Sequence, residues 1–165
     1  MFELLTENNI SFPDGFLWGT GTAGHQIEGN NIHSQRWNEE LADRVRYPEV
    51  SAEACGSWER FRRDARLAAE CGSQVYRFSV EWARIEPKEG HFNAAALNRY
   101  LELMRDLQKR GIRRMVTLHH FTHPAWFEAK GGFGRRENTA CFLRYLEYLV
   151  PRIAEFTDGW VVFNE

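Results

Sequence analysis

Hydrophobic positions along this chain switch period repeatedly, with short β-prone apolar runs separated by longer stretches in which apolar residues recur every three or four positions. Phe16–Thr20, Gln74–Val80, Arg114–Leu118 and Trp160–Phe163 read as four strands, the first following the turn residues Pro13-Asp14-Gly15. Between them, Trp58, Phe61, Ala65 and Ala68 give one helix an apolar face, with Ser57 as its expected cap, Glu59 in its first turn and Gly72 as its stop. Asn93 opens a second helix with the stripe Leu97, Leu101, Met104 and Leu107, ended by Gly111. A third carries Phe142, Tyr145, Leu149, Ile153 and Phe156 on one side, and Pro151 is expected to kink or split it. Strands alternating with helices predict a parallel sheet covered by helices.

The segment from His25 to Ala54 does not fit this alternation. It is rich in Asn, Gln, Arg and acidic residues and reads as one long irregular connection, which is more often functional than slack. In parallel β/α architectures chemistry sits at the carboxyl ends of strands. Polar residues gather at those ends here: Gln26 and Glu28 after the first strand, Arg77 in the second, His119 and His120 after the third, and Asn164-Glu165 at the close of the fourth. Singly, Arg77 reads as a buried ion-pair partner and His120 as a satisfied core histidine. Jointly they suit a polyhydroxylated ligand, which needs paired donors and acceptors beside an aromatic face.

Other chemistries fit less well. His119, His120 and His123 suggest a metal, but Pro124 follows at once and no acidic residue lies among them, so no metal site is expected. The GTGTAG run at Gly19–Gly24 lacks both the third glycine spacing of a dinucleotide loop and the Lys-Ser/Thr of a phosphate loop, and no cofactor is predicted. Cys55, Cys71 and Cys141 are widely spaced and read as reduced packing thiols. A formal net charge of −2 over 27% charged residues gives no electrostatic reason to expect nucleic acid or an anionic membrane as a partner. The opening Met1–Glu7 is acidic and shows no secretory signal, and no apolar run nears the ~18 residues of a membrane span, so a cytoplasmic location is expected.

Four co-linear segments carry a family resemblance: Phe12–Thr20 with Gln26-Ile27-Glu28-Gly29, Tyr76–Pro87, Val116–Phe121, and Phe163-Asn164-Glu165. Over nearly its whole length the chain resembles glycoside hydrolase family one, the β-glucosidase and β-galactosidase family. The resemblance implies an α/β fold of the (β/α)8 TIM-barrel family and a retaining hydrolase of β-glucosides or related β-glycosides that uses two glutamates. By motif, Glu165 matches the general acid/base, Gln26 and His120 would bind sugar hydroxyls, Asn164 the 2-hydroxyl, and Arg77 would orient the nucleophile carboxylate. Trp126 sits where some members place an aglycone-side aromatic. Two departures stand out: Phe121 replaces a frequent Trp, and Val162 a frequent Thr.

A closed barrel of this kind typically takes ~250 residues, against 165 here. Residues 1–165 are therefore expected to form one domain, the N-terminal half of a barrel with about four β/α units, cut at the catalytic acid and lacking the nucleophile after strand seven. Such a chain is predicted inactive alone. Expected partners are a β-glycoside or oligosaccharide substrate, and either the missing C-terminal half or a second copy. A carbohydrate-binding pseudoenzyme or a self-associating half-barrel without catalysis is the alternative.

Overall fold

A computed structural model describes residues 11–165; the acidic Met1–Glu7 stretch lies outside the described residues. Four parallel strands stand in the order β1-β2-β3-β4, namely β1 Gly19–Gly21, β2 Val75–Ser79, β3 Arg113–His120 and β4 Gly159–Asn164. The main helices α3 (Ser57–Glu70), α5 (Ala94–Lys109) and α7 (Thr139–Ile153) connect them. Short helices α1 (Gly24–Ile27), α4 (Trp82–Ile85) and α6 (Ala125–Ala129) follow the carboxyl ends of β1, β2 and β3, and α2 (Gln35–Ala42) lies between α1 and α3. This is half of a (β/α)8 barrel.

The apolar stripes explain the helix layer. Leu97, Leu101, Met104 and Leu107 of α5 pack with Tyr76, Phe78, Val116 and Leu118 of the sheet and with Phe142, Tyr145, Leu149 and Ile153 of α7 in one buried cluster. Trp82 is 1% exposed at the centre of an aromatic group, its ring within 4.7–5.8 Å of Trp126, Phe127, Phe142 and Tyr145. The Asn93 side chain accepts the Ala96 N–H at 3.1 Å and starts α5, and Gly72 and Gly111 take positive φ just past α3 and α5.

The first strand covers Gly19–Gly21 rather than Phe16–Thr20, and the structure departs from the expectations in four further places. Gly56, not Ser57, is the residue before α3; its φ of 63° lies in the left-handed region that glycine tolerates, and Ser57 instead turns its hydroxyl to Asp64. Pro151 does not split the last helix, which runs to Ile153 and tightens into a 3-10 turn over Ala154–Phe156. Proline forfeits one backbone bond there, and the packed face of Tyr145, Leu149 and Ile153 outweighs it. His119 and His120 are the last residues of β3 rather than followers of it. The stretch from His25 to Ala54 is not one irregular loop, because Ser34 caps the two-turn helix α2 by accepting from Trp37 N at 3.2 Å.

Among the described residues β1 and β4 each pair on one side only, and the apolar residues around them face outward: Phe12, Phe16 and Trp18 cluster with ring centroids 4.6–5.1 Å apart, and Val162 and Phe163 are 50% and 52% exposed. This asymmetry makes a direct test of the packing account. Leu107→Ala should cost about 2–5 kcal/mol in urea denaturation, whereas Val162→Ala should stay within about 0.5 kcal/mol. Equal losses at both positions would contradict the burial described.

Candidate functional site

The carboxyl ends of β1, β3 and β4 enclose an open cleft of about 480 Å³ lined by His25, Gln26, Arg36, Glu40, Tyr47, Phe121 and Glu165. Register brings the ends together, since His120 pairs with Asn164 across the β3–β4 ladder. Asn164 is the junction. Its Oδ1 accepts from Arg77 Nη1 at 2.8 Å, and its Nδ2 lies 3.3 Å from both His120 Nε2 and Glu165 Oε1. His120 Nε2 is also 3.3 Å from Glu165 Oε1. His120 is 3% exposed, while the Glu165 side chain stands open to the cleft.

Arg77 reaches this junction because Gly21 leaves room for it: a Cβ at Gly21 would meet the guanidinium nitrogens at 3.0 Å. Among the described residues no carboxylate lies within 4 Å of that guanidinium, which corrects the ion-pair reading of Arg77. Gln26 is exposed on the single turn α1 and lines the cleft with Glu165. Of the six residues to which the family resemblance gives a role, five therefore converge. Trp126 does not: its indole N–H donates to the Glu86 carbonyl at 2.9 Å, and its ring packs edge-on to Trp82 with Arg144 at 5.6 Å. Glu28 also leaves the constellation and lies buried beside it.

Around the cleft are buried carboxylates, of which the sequence reading named only Glu28 as a candidate site residue. Glu81 accepts from Asn31 Nδ2 at 2.8 Å, Thr122 Oγ1 at 2.6 Å and Ser79 Oγ at 3.1 Å, so it ties the segments after β1, β2 and β3 to one point. Gly24 must be glycine, since a Cβ there would sit 2.4 Å from Glu81 Cγ. Glu28 accepts from Arg84 Nε at 2.6 Å and from Tyr100 Oη at 2.9 Å. His25 Nε2 meets Glu40 Oε1 at 2.9 Å, and Glu40 also accepts from the Ser51 N–H and hydroxyl. Short Ser, Thr and Asn residues around acidic ones in the stretches 22–34 and 79–86 were the available signal, because a buried carboxylate needs donors at hand.

Burial pushes the Glu28 carboxyl up to about 7, against the pull of Arg84 and with the nearby Glu81 adding to the rise. His119 moves the other way, to about 4. It is 6% exposed, neither ring nitrogen has a partner among the described residues, and it sits among Phe133, Phe163 and the stacked ring of His123. Its protonation is resisted first by burial and then by the charges of His123 and His120. Among the described residues no group of three His, Cys, Asp or Glu side chains could hold a metal ion. No described helix is long and apolar enough to cross a membrane.

The profile of glycosyl hydrolase family 1 matches residues 8–165. Thermostable beta-glucosidase B of Thermobispora bispora is 36% identical over 162 residues, covering 95% of this chain and 34% of that protein. Beta-glucosidase A of Thermotoga maritima is 31% identical over 165 residues, covering 96% and 37%. Among solved structures, a beta-glycosidase from Pyrococcus horikoshii superposes with a TM-score of 0.86 at 42% identity, over 93% of this chain and 36% of that one. The chain thus spans about a third of the length of the curated relatives it matches.

The two shifted groups make opposite demands on pH. His119, lowered from 6.5, supports folding above pH 6.5 and loses that support as pH falls toward 4, a contribution of about 3 kcal/mol. Glu28, raised from 4.5, supports folding below pH 4.5 and loses that support as pH rises through 7, by a similar amount. Between pH 4.5 and 6.5 they offset each other. Relative to wild type, His119→Phe should lose stability as pH rises across that window, and Glu28→Gln should lose it as pH falls. Urea midpoints measured at half-unit steps check this, and variants that track wild type in parallel would contradict both shifts.

Proposed function

The chain belongs to glycosyl hydrolase family 1, and on that premise we propose that residues 1–165 are one domain, the N-terminal half of a retaining β-glycosidase acting on β-glucosides or related β-glycosides. The observation that carries the proposal is the convergence of Arg77, His120, Asn164 and Glu165 within 3.3 Å contacts at the rim of the cleft. Edges of β1 and β4 that are unpaired among the described residues, with Trp18, Val162 and Phe163 exposed beside them, support closure of the barrel by further strands.

In this reading Glu165 is the general acid/base. A retaining glycosidase holds two carboxyl groups ~5–5.5 Å apart, one attacking the anomeric carbon while the other protonates the leaving oxygen and later activates water. His120 Nε2, 3.3 Å from Glu165 Oε1, would orient the Glu165 carboxyl group toward the cleft. Asn164 would hold the 2-hydroxyl through Nδ2, with its Oδ1 fixed by Arg77. Arg77, with no carboxylate of its own among the described residues, is left free to orient a nucleophile supplied by the rest of the barrel. Gln26 and His120 would bind the remaining hydroxyls. Trp126, its indole N–H held by the Glu86 carbonyl, would offer an aglycone only its ring.

The expected outcome is no turnover of an aryl β-glucoside by the 165-residue chain alone. Turnover near ~1–10³ s⁻¹ is expected when the remaining strands with the second glutamate are supplied. In that completed barrel Glu165→Gln should lower the rate on cellobiose-like substrates by ~10²–10⁴-fold and spare the glycosylation step for activated aryl leaving groups. Full activity of the isolated chain, or an unimpaired Glu165→Gln barrel, would overturn the assignment.

A further inference from the structure

Phe121, which forms one wall of the cleft, has a φ of 45°, in the left-handed region that bulky residues seldom enter. The Thr122 N–H donates to the His120 carbonyl at 2.6 Å, closing a three-residue turn about Phe121. Turns of this kind with positive φ at the centre are rare and strained. Strain persists only where the surroundings over-determine it.

The surroundings here are specific. Gln35, the first residue of α2 and 6% exposed, donates through Nε2 to the Phe121 carbonyl at 3.0 Å and accepts through Oε1 from His123 N at 2.8 Å. Its own N–H donates to the His123 carbonyl at 3.0 Å. One side chain thus bonds the peptide groups on both sides of Thr122, at the exit of the turn. The next residue, Arg36, lays its guanidinium 5.4 Å from the Phe121 ring centroid and is held there by Tyr47 and Glu39. The turn's entry is fixed by Phe121 N donating to Asn164 O at 3.2 Å. His120, Phe121 and Asn164 therefore share one strained corner.

We propose that Gln35 is a positioning residue of the cleft: its side-chain amide holds the strained turn at Phe121, and the turn sets where His120 and Phe121 stand relative to Glu165. The bearing on catalysis rests on the glycosidase reading above, while the conformational claim does not. Both a donor and an acceptor are needed at position 35. Glutamine supplies them at every pH, and a carboxyl group only when protonated.

Gln35→Glu uses that difference. In isotope-labelled chain studied by NMR, the strong HN–Hα cross-peak within Phe121 that marks positive φ should be present in wild type from pH 7 to 4.5. In Gln35→Glu it should weaken at pH 7 and return as the carboxyl protonates, near pH 4.3 in water and higher when buried. A cross-peak unchanged by the substitution at both pH values would overturn the proposal. Should Gln35→Glu fail to fold, Gln35→Ala is compared in wild-type and Phe121→Gly backgrounds, since glycine accepts this φ without strain. The loss in urea midpoint should be smaller in the Phe121→Gly background, and equal losses would refute the clamp.

In a completed, active barrel, Gln35→Glu should lower kcat/KM for an aryl β-glucoside roughly 10- to 100-fold at pH 7, with recovery relative to wild type as pH falls. A loss equal at every pH would reduce Gln35 to a structural residue and overturn the functional half. If the completed wild-type barrel shows no turnover, the glycosidase reading fails, and the Phe121 cross-peak decides the clamp alone.

Discussion

Everything at the carboxyl end of this sheet depends on burying the Glu81 carboxylate. An ionised carboxyl group taken out of water without partners is costly enough that the fold must bring donors to it. Here the donors come from three different places: Asn31 after β1, Ser79 at the end of β2 and Thr122 after β3. Gly24 closes over the same group. Satisfying one charge therefore fixes three otherwise separate segments relative to one another. Those segments carry Gln26, Phe121 and the Gln35 amide, and they adjoin His120.

A second layer follows from the first. Thr122 donates to Glu81 while its N–H closes the turn at Phe121, so the buried hub and the strained corner share a residue. Glu28 with Arg84 and Tyr100, and Glu86 with Trp82 and Arg144, hold the neighbouring short helices in the same manner. Such networks make the cleft wall rigid on the side this chain supplies. The exposed edges of β1 and β4 are its open side.

Much of the fold is legible in the sequence because period and punctuation agree. The Leu97, Leu101, Met104, Leu107 stripe lies between an Asn93 cap and a Gly111 stop, and α5 follows it closely. The site is legible where a polar residue closes an apolar strand, as with Asn164-Glu165 and His120. What escapes is tertiary. Helix α2 has five charged or amide residues in its eight and no strong apolar stripe, so only its Ser34 cap and its contacts with the β3 exit mark it. Pro151 misleads because local cost is weighed without the packed face that outweighs it. Motif position alone also does not reveal that the Glu86 backbone carbonyl holds the Trp126 indole N–H.

Hydrogen exchange in native conditions, comparing wild type with Glu81→Gln, tests the hub most directly. The amide replaces one acceptor oxygen with a donor, so Asn31, Thr122 and Ser79 can no longer all donate to it. The amides of Gln35, His123 and Ala125, bonded between residues 33–35 and the β3 exit, should lose protection together. The β2–β3 ladder, from Val75–Arg113 to Ser79–Thr117, should keep its own. Unchanged protection of the three loop amides, or a loss shared equally by the ladder, would contradict the claim that this one carboxylate sets the site.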